Sequence, residues 1–491
     1  MSNFKMKRLI LLLIIFCLAG ATYTMAQPTN LTLEDVIRLA NEQSTAALRA
    51  ATNRERSYWE YRVHRSNYNP QLVLSGTLPQ FNRSFSSIPQ EDGSYRVNKI
   101  NRDLSNIGLG IQQSIGLTGG QLRLGSDIER TQNFINDQIE FGVNPATIEL
   151  RQPLFSFNSY QWDKKIEPLR YEESKRSYTE AMENISIQAT NLFFDLMLAQ
   201  VDMDIAQINL ANNDTIYKIA EGRYNLGNIA ENELLQLELN LMNSRQSVAQ
   251  AELDLENSRL RLRSYIGFRE NQDIQLILPE SIPEFVVDEQ VALGEAHKNR
   301  ANAIAFQRRN LEARRDLARA KGETGFEANL IASVGVSSRA NSFSELYSGQ
   351  KDPLTRVSIG FSIPVLDWGR SKSWVKTSEA NQKLTEYAVS QDEVTFEEEV
   401  LTQVRSFNMM RNRIEISAKA SEIGQRSYDI SKSRFLIGKI SITDLNDALE
   451  KKDDARRRYI QSLREFWQAY YNLRMLTLYD FYTGRQLYVE E

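Results

Sequence analysis

A segment of this chain recurs 211 residues later, and the recurrence limits the folds that are open to it. The first copy, RYNLGNIAENELLQLE, begins at Arg223, and the second, RFLIGKISITDLNDALE, begins at Arg434. A constant offset over roughly eighty positions indicates duplication of a whole structural unit. Further pairs at this offset are Pro153 with Pro364, Tyr217 with Tyr428, and Gly227 with Gly438.

Residues 1–26 have the layout of a secretory signal peptide. Three basic residues precede the apolar run Leu9–Leu18, and a small-residue cleavage site ends at Ala26. The alternative is an uncleaved anchor, but the run is short for a span that needs about 20 apolar residues. We therefore expect export with cleavage before Gln27.

Composition excludes several classes of site. Acidic residues outnumber basic ones, 63 to 59, so we expect no nucleic-acid partner. The single cysteine, Cys17, lies in the predicted signal, and the chain has two histidines, His64 and His297. We predict no disulfide framework, no metal site and no cofactor.

Two long helical hairpins are predicted from heptad spacing. Apolar and small residues alternate at intervals of three and four over Leu192–Tyr224 and Leu234–Tyr265. The second copy repeats this over Leu445–Leu476, with Lys452 where the first has Leu241. Such spacing is typical of a left-handed coiled-coil seam. A helical hairpin in a globular bundle explains one copy but leaves the second unexplained.

Short segments that alternate apolar with polar residues predict strands with one apolar face and one polar face. A soluble sandwich shows the same alternation, whereas membrane barrels show it after an export signal. Six strands are too few to close a membrane barrel, since the smallest have about eight, so the chain is expected to oligomerise. The segments begin at Leu72, Ile107, Leu122, Ile148, Leu330 and Val357.

The predicted order is helix, strands and helical hairpin, given twice. The first helix is expected over Leu33–Asn67 and its counterpart over Gln290–Lys321. The predicted divisions are a signal peptide at 1–26, a first repeat at 27–267, a linker at 268–289, a second repeat at 290–480 and a tail at 481–491.

The first repeat contains 45 more residues than the second. Ala40 matches Ala296 at an offset of 256, whereas later positions match at 211. The surplus includes Gly116–Gly120 between two alternating runs, which indicates an additional hairpin at about Leu104–Arg130. Such a hairpin could join a barrel, extend outside it or fold back.

The repeat order and three sets of short motifs resemble the TolC-like outer membrane efflux protein family over residues 27 to about 480. The motifs are QPLF at Gln152–Phe155, IPVLDWGR at Ile363–Arg370, and the two turns RYNLGN and RFLIGK. The resemblance implies a mixed α and β membrane protein. It implies a homotrimer whose outer-membrane β-barrel, about four strands per protomer apart from the additional hairpin, continues into a long periplasmic α-helical barrel.

The resemblance also implies a function without catalysis. Such proteins are exit ducts of tripartite efflux pumps or of type I protein secretion, set in the outer-membrane lipid of Gram-negative bacteria. A periplasmic adaptor (a membrane fusion protein) and an inner-membrane pump are the implied partners. The sequence is consistent with a function without catalysis, because we find no nucleophile–base cluster or phosphate-binding loop in it.

The family's periplasmic aperture is lined by acidic residues just beyond the second turn. The matching positions here are Asp444 and Asp447, and the first copy carries Glu233 at the position of Asp444. Rings of three carboxylates would favour cations. An acid near a helix start is equally explained as a cap. Ile440 stands where the family often has a basic residue, although Lys439 is adjacent.

The turns are expected to face the adaptor. Glycine permits the left-handed backbone of a tight turn between helices, and a plain turn predicts the glycines equally well. The arginine and aromatic residue that precede each glycine are left unexplained by that alternative. The expected adaptor-contacting residues are Arg223, Tyr224, Gly227, Arg434, Phe435 and Gly438.

Two other functions are open. A periplasmic coiled-coil adaptor or scaffold without a barrel would also be rich in heptads, but adaptors have one hairpin where this chain has two. An exported enzyme on a helical scaffold would need a cluster of reactive residues.

Overall fold

The computed structural model describes residues 29–91, 93–268, 274–279, 281–346 and 350–488. The predicted signal peptide, with Cys17, lies outside the described residues.

Among the described residues, the first repeat contains five strands and four helices. A short strand and two helices come first: β1 (Thr29–Leu31), α1 (Leu33–Gln43) and α2 (Thr45–Ser66). Four long strands follow: β2 (Gln71–Pro89), β3 (Tyr95–Ile115), β4 (Gly120–Asn133) and β5 (Gln138–Leu154). A helical hairpin completes the repeat: α3 (Ser159–Asn225) and α4 (Glu231–Tyr265).

The second repeat has the same order with two fewer long strands. Its elements are β6 (Ile274–Leu276), α5 (Glu289–Asn299), α6 (Ala301–Glu323), β7 (Glu327–Ala340), β8 (Asp352–Ser362), α7 (Arg370–Leu436) and α8 (Ile442–Thr477). A 3-10 turn, Phe343–Glu345, follows β7. A small antiparallel pair follows α8: β9 (Tyr479–Asp480) and β10 (Arg485–Gln486).

The element bounds confirm the duplication. Helices α3 and α7 are both 67 residues long and start at Ser159 and Arg370, which differ by 211. Helices α1 and α5 start at Leu33 and Glu289, which differ by 256. Strands β1 and β6, one at the start of each repeat, pair in parallel with Leu31 opposite Leu276.

The prediction of a single helix over Leu33–Asn67 is wrong, because the helix is interrupted at Ser44. Ser44 has an extended backbone, with φ −65° and ψ 147°, and its Oγ accepts a hydrogen bond from the N–H of Ala47 at 3.0 Å. A serine side chain that caps the next helix stabilises such a break. The single helix predicted over Gln290–Lys321 is also wrong, because Arg300 has an extended backbone, with φ −72° and ψ 146°, between two helices.

The long strands form one six-stranded antiparallel sheet in the order β2-β3-β4-β5-β7-β8. The additional hairpin is β3 and β4, and it lies inside the sheet between β2 and β5. The structure thus places the hairpin in the sheet rather than outside it. By the two offsets, β7 corresponds to β2 and β8 corresponds to β5.

The helical hairpins pack along the predicted seam. On α4, Leu237, Leu241 and Ser244 are buried. Asn213 of α3 donates a hydrogen bond from Nδ2 to Oγ of Ser244 at 2.6 Å, so polar seam residues are paired across the hairpin. In the second copy, Ser417 and Ser462 join their hydroxyls at 2.6 Å.

Two compact units divide the described residues, and each takes segments from both repeats. One contains residues up to Thr52 with Ser177–Arg300 and the part of the chain from Glu398 onward, which hold most of the helical hairpins. The other contains Asn53–Arg176 and Ala301–Glu397, which include the sheet. The predicted divisions at 267 and 289 follow the repeats and stay predictions.

Candidate functional site

One face of the six-stranded sheet is apolar and exposed. Register places Leu74 opposite Leu109, Ile111 opposite Leu124, and Leu124 opposite Ile148. The same face continues across β7 and β8, where Phe361 is 71% exposed. A contiguous exposed apolar face of this extent marks a surface that meets lipid or another protein. Its exposed members include Leu72, Leu74, Ile107, Leu109, Ile111, Leu122, Leu124, Ile148, Val334, Val357, Ile359 and Phe361.

The opposite face is polar, and on it an ion pair packs against two glycines. Arg123 Nη2 lies 2.7 Å from Oδ1 of Asp127, which is four residues further along β4. A Cβ added at Gly108 of β3 would lie 2.1 Å from that same oxygen, and one at Gly125 would lie 2.9 Å from Arg123 Cζ. Glycine at these positions therefore provides the room in which the ion pair lies.

The two predicted turns have the same backbone hydrogen bonds. In the first, the N–H of Asn228 donates to the carbonyl of Arg223 at 2.9 Å, and that of Gly227 donates to Tyr224 at 2.8 Å. The second turn repeats both bonds, from Lys439 to Arg434 and from Gly438 to Phe435, each at 2.9 Å. This is the Schellman motif, which needs a left-handed residue after the helix. Gly227 and Gly438 supply it with φ of +74° and +71°.

The structure brings the two turns together. Arg223 Nη2 donates to the backbone carbonyl oxygen of Leu436 at 3.2 Å, at the C-terminal end of α7. A cation near helix C-terminal carbonyls is favoured by the helix dipole. Arg434, at the matching position, is exposed. Beneath the turns lies a buried apolar cluster, against which Phe435 packs: Ile216, Ala220, Leu237, Tyr428 and Leu445.

A cleft of about 570 Å³ opens beside the turns. Its lining includes Arg223, Glu233, Phe435 and Gly438, which are four of the predicted site residues. Both repeats contribute to the walls of this cleft. Ile229 and Ile440, which correspond at the offset of 211, both line it.

The predicted aperture acids have local partners. Asp444 Oδ2 accepts hydrogen bonds from Ser441 Oγ at 2.8 Å and from the Ser441 N–H at 3.1 Å, while Ser441 Oγ accepts from the Asp444 N–H. These bonds form a capping box and lower the pKa of Asp444 below its usual value. Asp447 pairs with Lys451 at 2.7 Å, and Glu233 is exposed in the first turn of α4. Asp444 therefore caps α8, and the aperture role of the three acids stays a prediction.

Sequence reasoning missed a row of polar contacts between the repeats. Arg457 of α8 pairs with Asp202 of α3 at 2.7 Å, and Arg464 pairs with Asp195 at 2.8 Å. Asn209 Nδ2 donates to Asp453 Oδ2 at 2.8 Å. Opposite charges spaced by seven on two heptad helices were the available signal, but sequence alone does not say which helices face each other.

Within the described ranges, none of the helices carries an apolar stretch long enough to cross a bilayer. Among the same residues, no group of three histidine, cysteine or carboxylate side chains is placed to hold a metal ion.

Comparison with known protein families identifies the family of this chain. The sequence profile of the outer membrane efflux protein family matches residues 114–268 and 293–477, well over half of the chain. The chain belongs to the outer membrane efflux protein family. This confirms the resemblance that rested on the two turns and the QPLF and IPVLDWGR motifs.

Three solved structures of membrane proteins have the same fold. The CmeC outer membrane channel of Campylobacter jejuni matches with a TM-score of 0.65 at 15% identity, over 91% of this chain and 85% of that one. The outer membrane protein VceC of Vibrio cholerae matches with a TM-score of 0.62 at 14% identity, over 91% and 95%. A membrane protein of Pseudomonas aeruginosa gives 0.65 at 14% identity, over 93% and 92%. A search of curated protein sequences gives no match.

Proposed function

We propose that this efflux family member is an outer-membrane exit duct, a homotrimer that conducts substrates passively from a periplasmic assembly to the exterior. The observation that carries the proposal is the exposed apolar face that runs across all six strands of the sheet. Strands with alternating apolar and polar faces are typical of membrane barrels, where one face meets lipid and the other a water-filled lumen.

The polar face supports a lumen on the other side of the sheet. It carries Arg123 and Asp127 as a pair, and its glycines leave space for both side chains. An ion pair on a lipid-facing surface would be strongly disfavoured. The exposed apolar residues therefore face lipid, and the face with Arg123 lines the duct. A second ion pair, Arg130 with Asp103, lies on the apolar side of β3 and β4 but beyond those apolar residues along both strands.

Partners follow from the turns. The paired tips present exposed Tyr224 and Arg434 beside the cleft, and they form the end of both helical hairpins. A periplasmic adaptor that bridges to an inner-membrane pump is the proposed partner at this end. Small-molecule efflux and type I protein secretion both use such an arrangement, and the pump selects the substrate.

Localisation tests the duct. We expect the protein in the outer-membrane fraction, with a migration in gel electrophoresis that changes on heating, because membrane barrels resist detergent unless heated. A protein released into the soluble periplasm, with heat-independent migration, would instead favour the alternative of a coiled-coil adaptor or scaffold.

The aperture assignment of Asp444, Asp447 and Glu233 has its own test. In a trimer each acid forms a ring of three carboxylates, which favours cations. We expect Asp444→Asn with Asp447→Asn to lower cation preference in single-channel recordings, while asparagine keeps an oxygen that can accept from Ser441.

A matched control removes two exposed acids from α7, Glu415→Gln with Glu422→Gln. Cation preference should be unchanged in that variant. Equal selectivity in the two double variants would show that Asp444 and Asp447 do not line an aperture.

A further inference from the structure

We propose that the β3–β4 hairpin is part of the membrane wall of the duct and makes the outlet wider than four strands per copy would make it. The inference rests on the proposed homotrimeric duct and specifies the width of its outlet. It means that the outlet admits hydrophilic polymers that a barrel of four strands per copy excludes.

The second repeat shows the wall without an additional hairpin. Its strands β7 and β8 pair directly, with Leu330 opposite Ile359. Their counterparts in the first repeat, β2 and β5, are separated by β3 and β4, and each of these two strands is bonded to both of its neighbours over most of its length. The hairpin therefore adds two strands to the sheet at the place where the second repeat has a direct pair.

On the apolar side of the sheet, a row of large side chains crosses the hairpin without interruption. Leu72 of β2 lies opposite Ile111 of β3, which lies opposite Leu124 of β4. Leu124 lies opposite Ile148 of β5, which lies opposite Val334 of β7. All five side chains are at least 45% exposed. Lipid that covers the flanking strands would cover the hairpin at the same level, as it does in a membrane barrel.

On the polar side, a row of hydrogen-bonding and charged side chains crosses the hairpin in the same way. Gln112 of β3 lies opposite Arg123 of β4. Arg123 lies opposite Glu149 of β5, which lies opposite Ser333 of β7. Polar residues on this face are what a water-filled lumen requires. Both faces of the hairpin thus match the faces of the strands on either side of it.

Three glycines let the charged side chains of the hairpin lie flat on the polar face. A Cβ at Gly110 would lie 3.0 Å from Arg123 Nε, and one at Gly125 would lie 2.9 Å from Arg123 Cζ. A Cβ at Gly108 would lie 2.1 Å from Oδ1 of Asp127, which pairs with Arg123. The guanidinium and the carboxylate therefore lie over backbone and do not project from the wall. The added wall carries charge without narrowing the lumen.

The number of strands sets the width of a barrel. Three copies of a six-stranded sheet supply about eighteen strands, and without the hairpin three copies supply about twelve. At a spacing of about 4.8 Å and a tilt of about 40°, eighteen strands give a backbone diameter of about 36 Å, against about 24 Å for twelve. The hairpin is thus expected to make the outlet about half as wide again.

Thiol labelling tests the position of the hairpin. In a background without Cys17, we expect Gln112→Cys to react with a membrane-impermeant maleimide in vesicles. Ile111→Cys should lose this reaction, because lipid covers the apolar face. The matched control is the neighbouring pair on β8, where Ser358→Cys should react and Ile359→Cys should not.

The two pairs of variants separate the possible failures. Equal labelling at 111 and 112, with the contrast at 358 and 359 intact, would place the hairpin outside the wall and overturn the inference. Equal labelling within both pairs would overturn the assignment of the sheet to the membrane, and with it the proposed duct.

Polymer exclusion measures the width of the outlet. Neutral polyethylene glycols lower the single-channel conductance of a pore that they enter. We expect the limiting polymer diameter for the full chain to be about 1.5-fold that for a variant without residues 85–133. In that variant Leu74 can face Ile148, as their counterparts Leu330 and Ile359 face each other.

Equal exclusion limits for the full chain and a channel-forming deletion variant would overturn the inference. If the deletion variant does not assemble, the strands of the full chain are counted by electron microscopy. A trimer with a barrel of about eighteen strands supports the inference, whereas one with about twelve overturns it and leaves the duct standing. A full chain that forms no channel overturns the proposed duct itself.

Discussion

The ammonium nitrogen of Lys452 lies 4.7 Å from the centroid of the Tyr428 ring, in the seam between the two helices of the second hairpin. Lys452 is 9% exposed and also pairs with buried Asp453 at 3.0 Å. The first repeat has the apolar Leu241 at this position. A lysine that departs from the heptad pattern is thus held by a carboxylate and an aromatic face.

Lys452→Met should lower the free energy of unfolding by about 3 kcal/mol, because it leaves the carboxylate of Asp453 buried without its cation. Denaturant unfolding in detergent measures the change. The control is Lys451→Met, whose exposed pair with Asp447 should contribute less than about 1 kcal/mol. Equal losses in the two variants would contradict the role assigned to burial.

Alanine should have opposite effects at two glycines of the second and first hairpins. Gly438→Ala places a side chain at φ +71° and should destabilise the turn by about 1 kcal/mol. Gly222→Ala, in an exposed helical turn where an added Cβ meets nothing within 4 Å, should stabilise by about 1 kcal/mol. Thermal unfolding of both variants checks the signs, and a gain at Gly438 would rule out backbone strain as the reason for glycine there.

Arg474 neutralises two buried carboxylates, at 2.8 Å from Glu183 and 3.6 Å from Asp480. Arg474→Gln should lower the free energy of unfolding by about 3 kcal/mol near neutral pH. Arg458→Gln, at an exposed arginine 3.9 Å from Asp454, is the control and should change stability little.

The loss at Arg474 should depend on pH. Burial raises the pKa of Glu183 above its usual 4.5, and Arg474 opposes that rise. A carboxyl whose pKa is raised on folding favours the folded state below its unfolded pKa and loses this contribution as pH rises through the folded pKa. Without Arg474 the rise is larger, so the deficit of the variant should shrink in acid. A deficit that is constant with pH would contradict this account.

The assignment of sheet faces predicts different outcomes at two adjacent residues of β8. Ile359→Arg puts a charge on the apolar face and should cost about 2–4 kcal/mol if it lies near the bilayer centre. Ser358→Arg lies on the opposite, polar face and should be tolerated. The yield of heat-modifiable protein in the outer-membrane fraction measures both, and equal yields would contradict the assignment.

The sequence was most informative where a local rule determines the structure. Gly227 and Gly438 lie at the ends of heptad runs and adopt the left-handed backbone that the turns predicted. Alternation located the strands, and the difference between offsets 256 and 211 located the additional hairpin. These features depend on residues near one another in the chain.

Features that depend on distant partners were not predictable. The interruption of the helix at Ser44 was missed for another reason, because its Oγ accepts from the N–H of Ala47 only three residues on, a local signal that the helix prediction overlooked. Lys452 departs from the heptad pattern, and the sequence does not show that its ammonium group lies against the ring of Tyr428 and the carboxylate of Asp453. The pairing of Arg457 with Asp202 required knowing that α8 faces α3.

Imaging of the detergent-solubilised, purified protein by electron microscopy tests the central claim most directly. The account predicts a threefold particle with a tube that extends beyond the thickness of the membrane. A monomer that is soluble without detergent would contradict the duct and favour an adaptor-like coiled-coil protein.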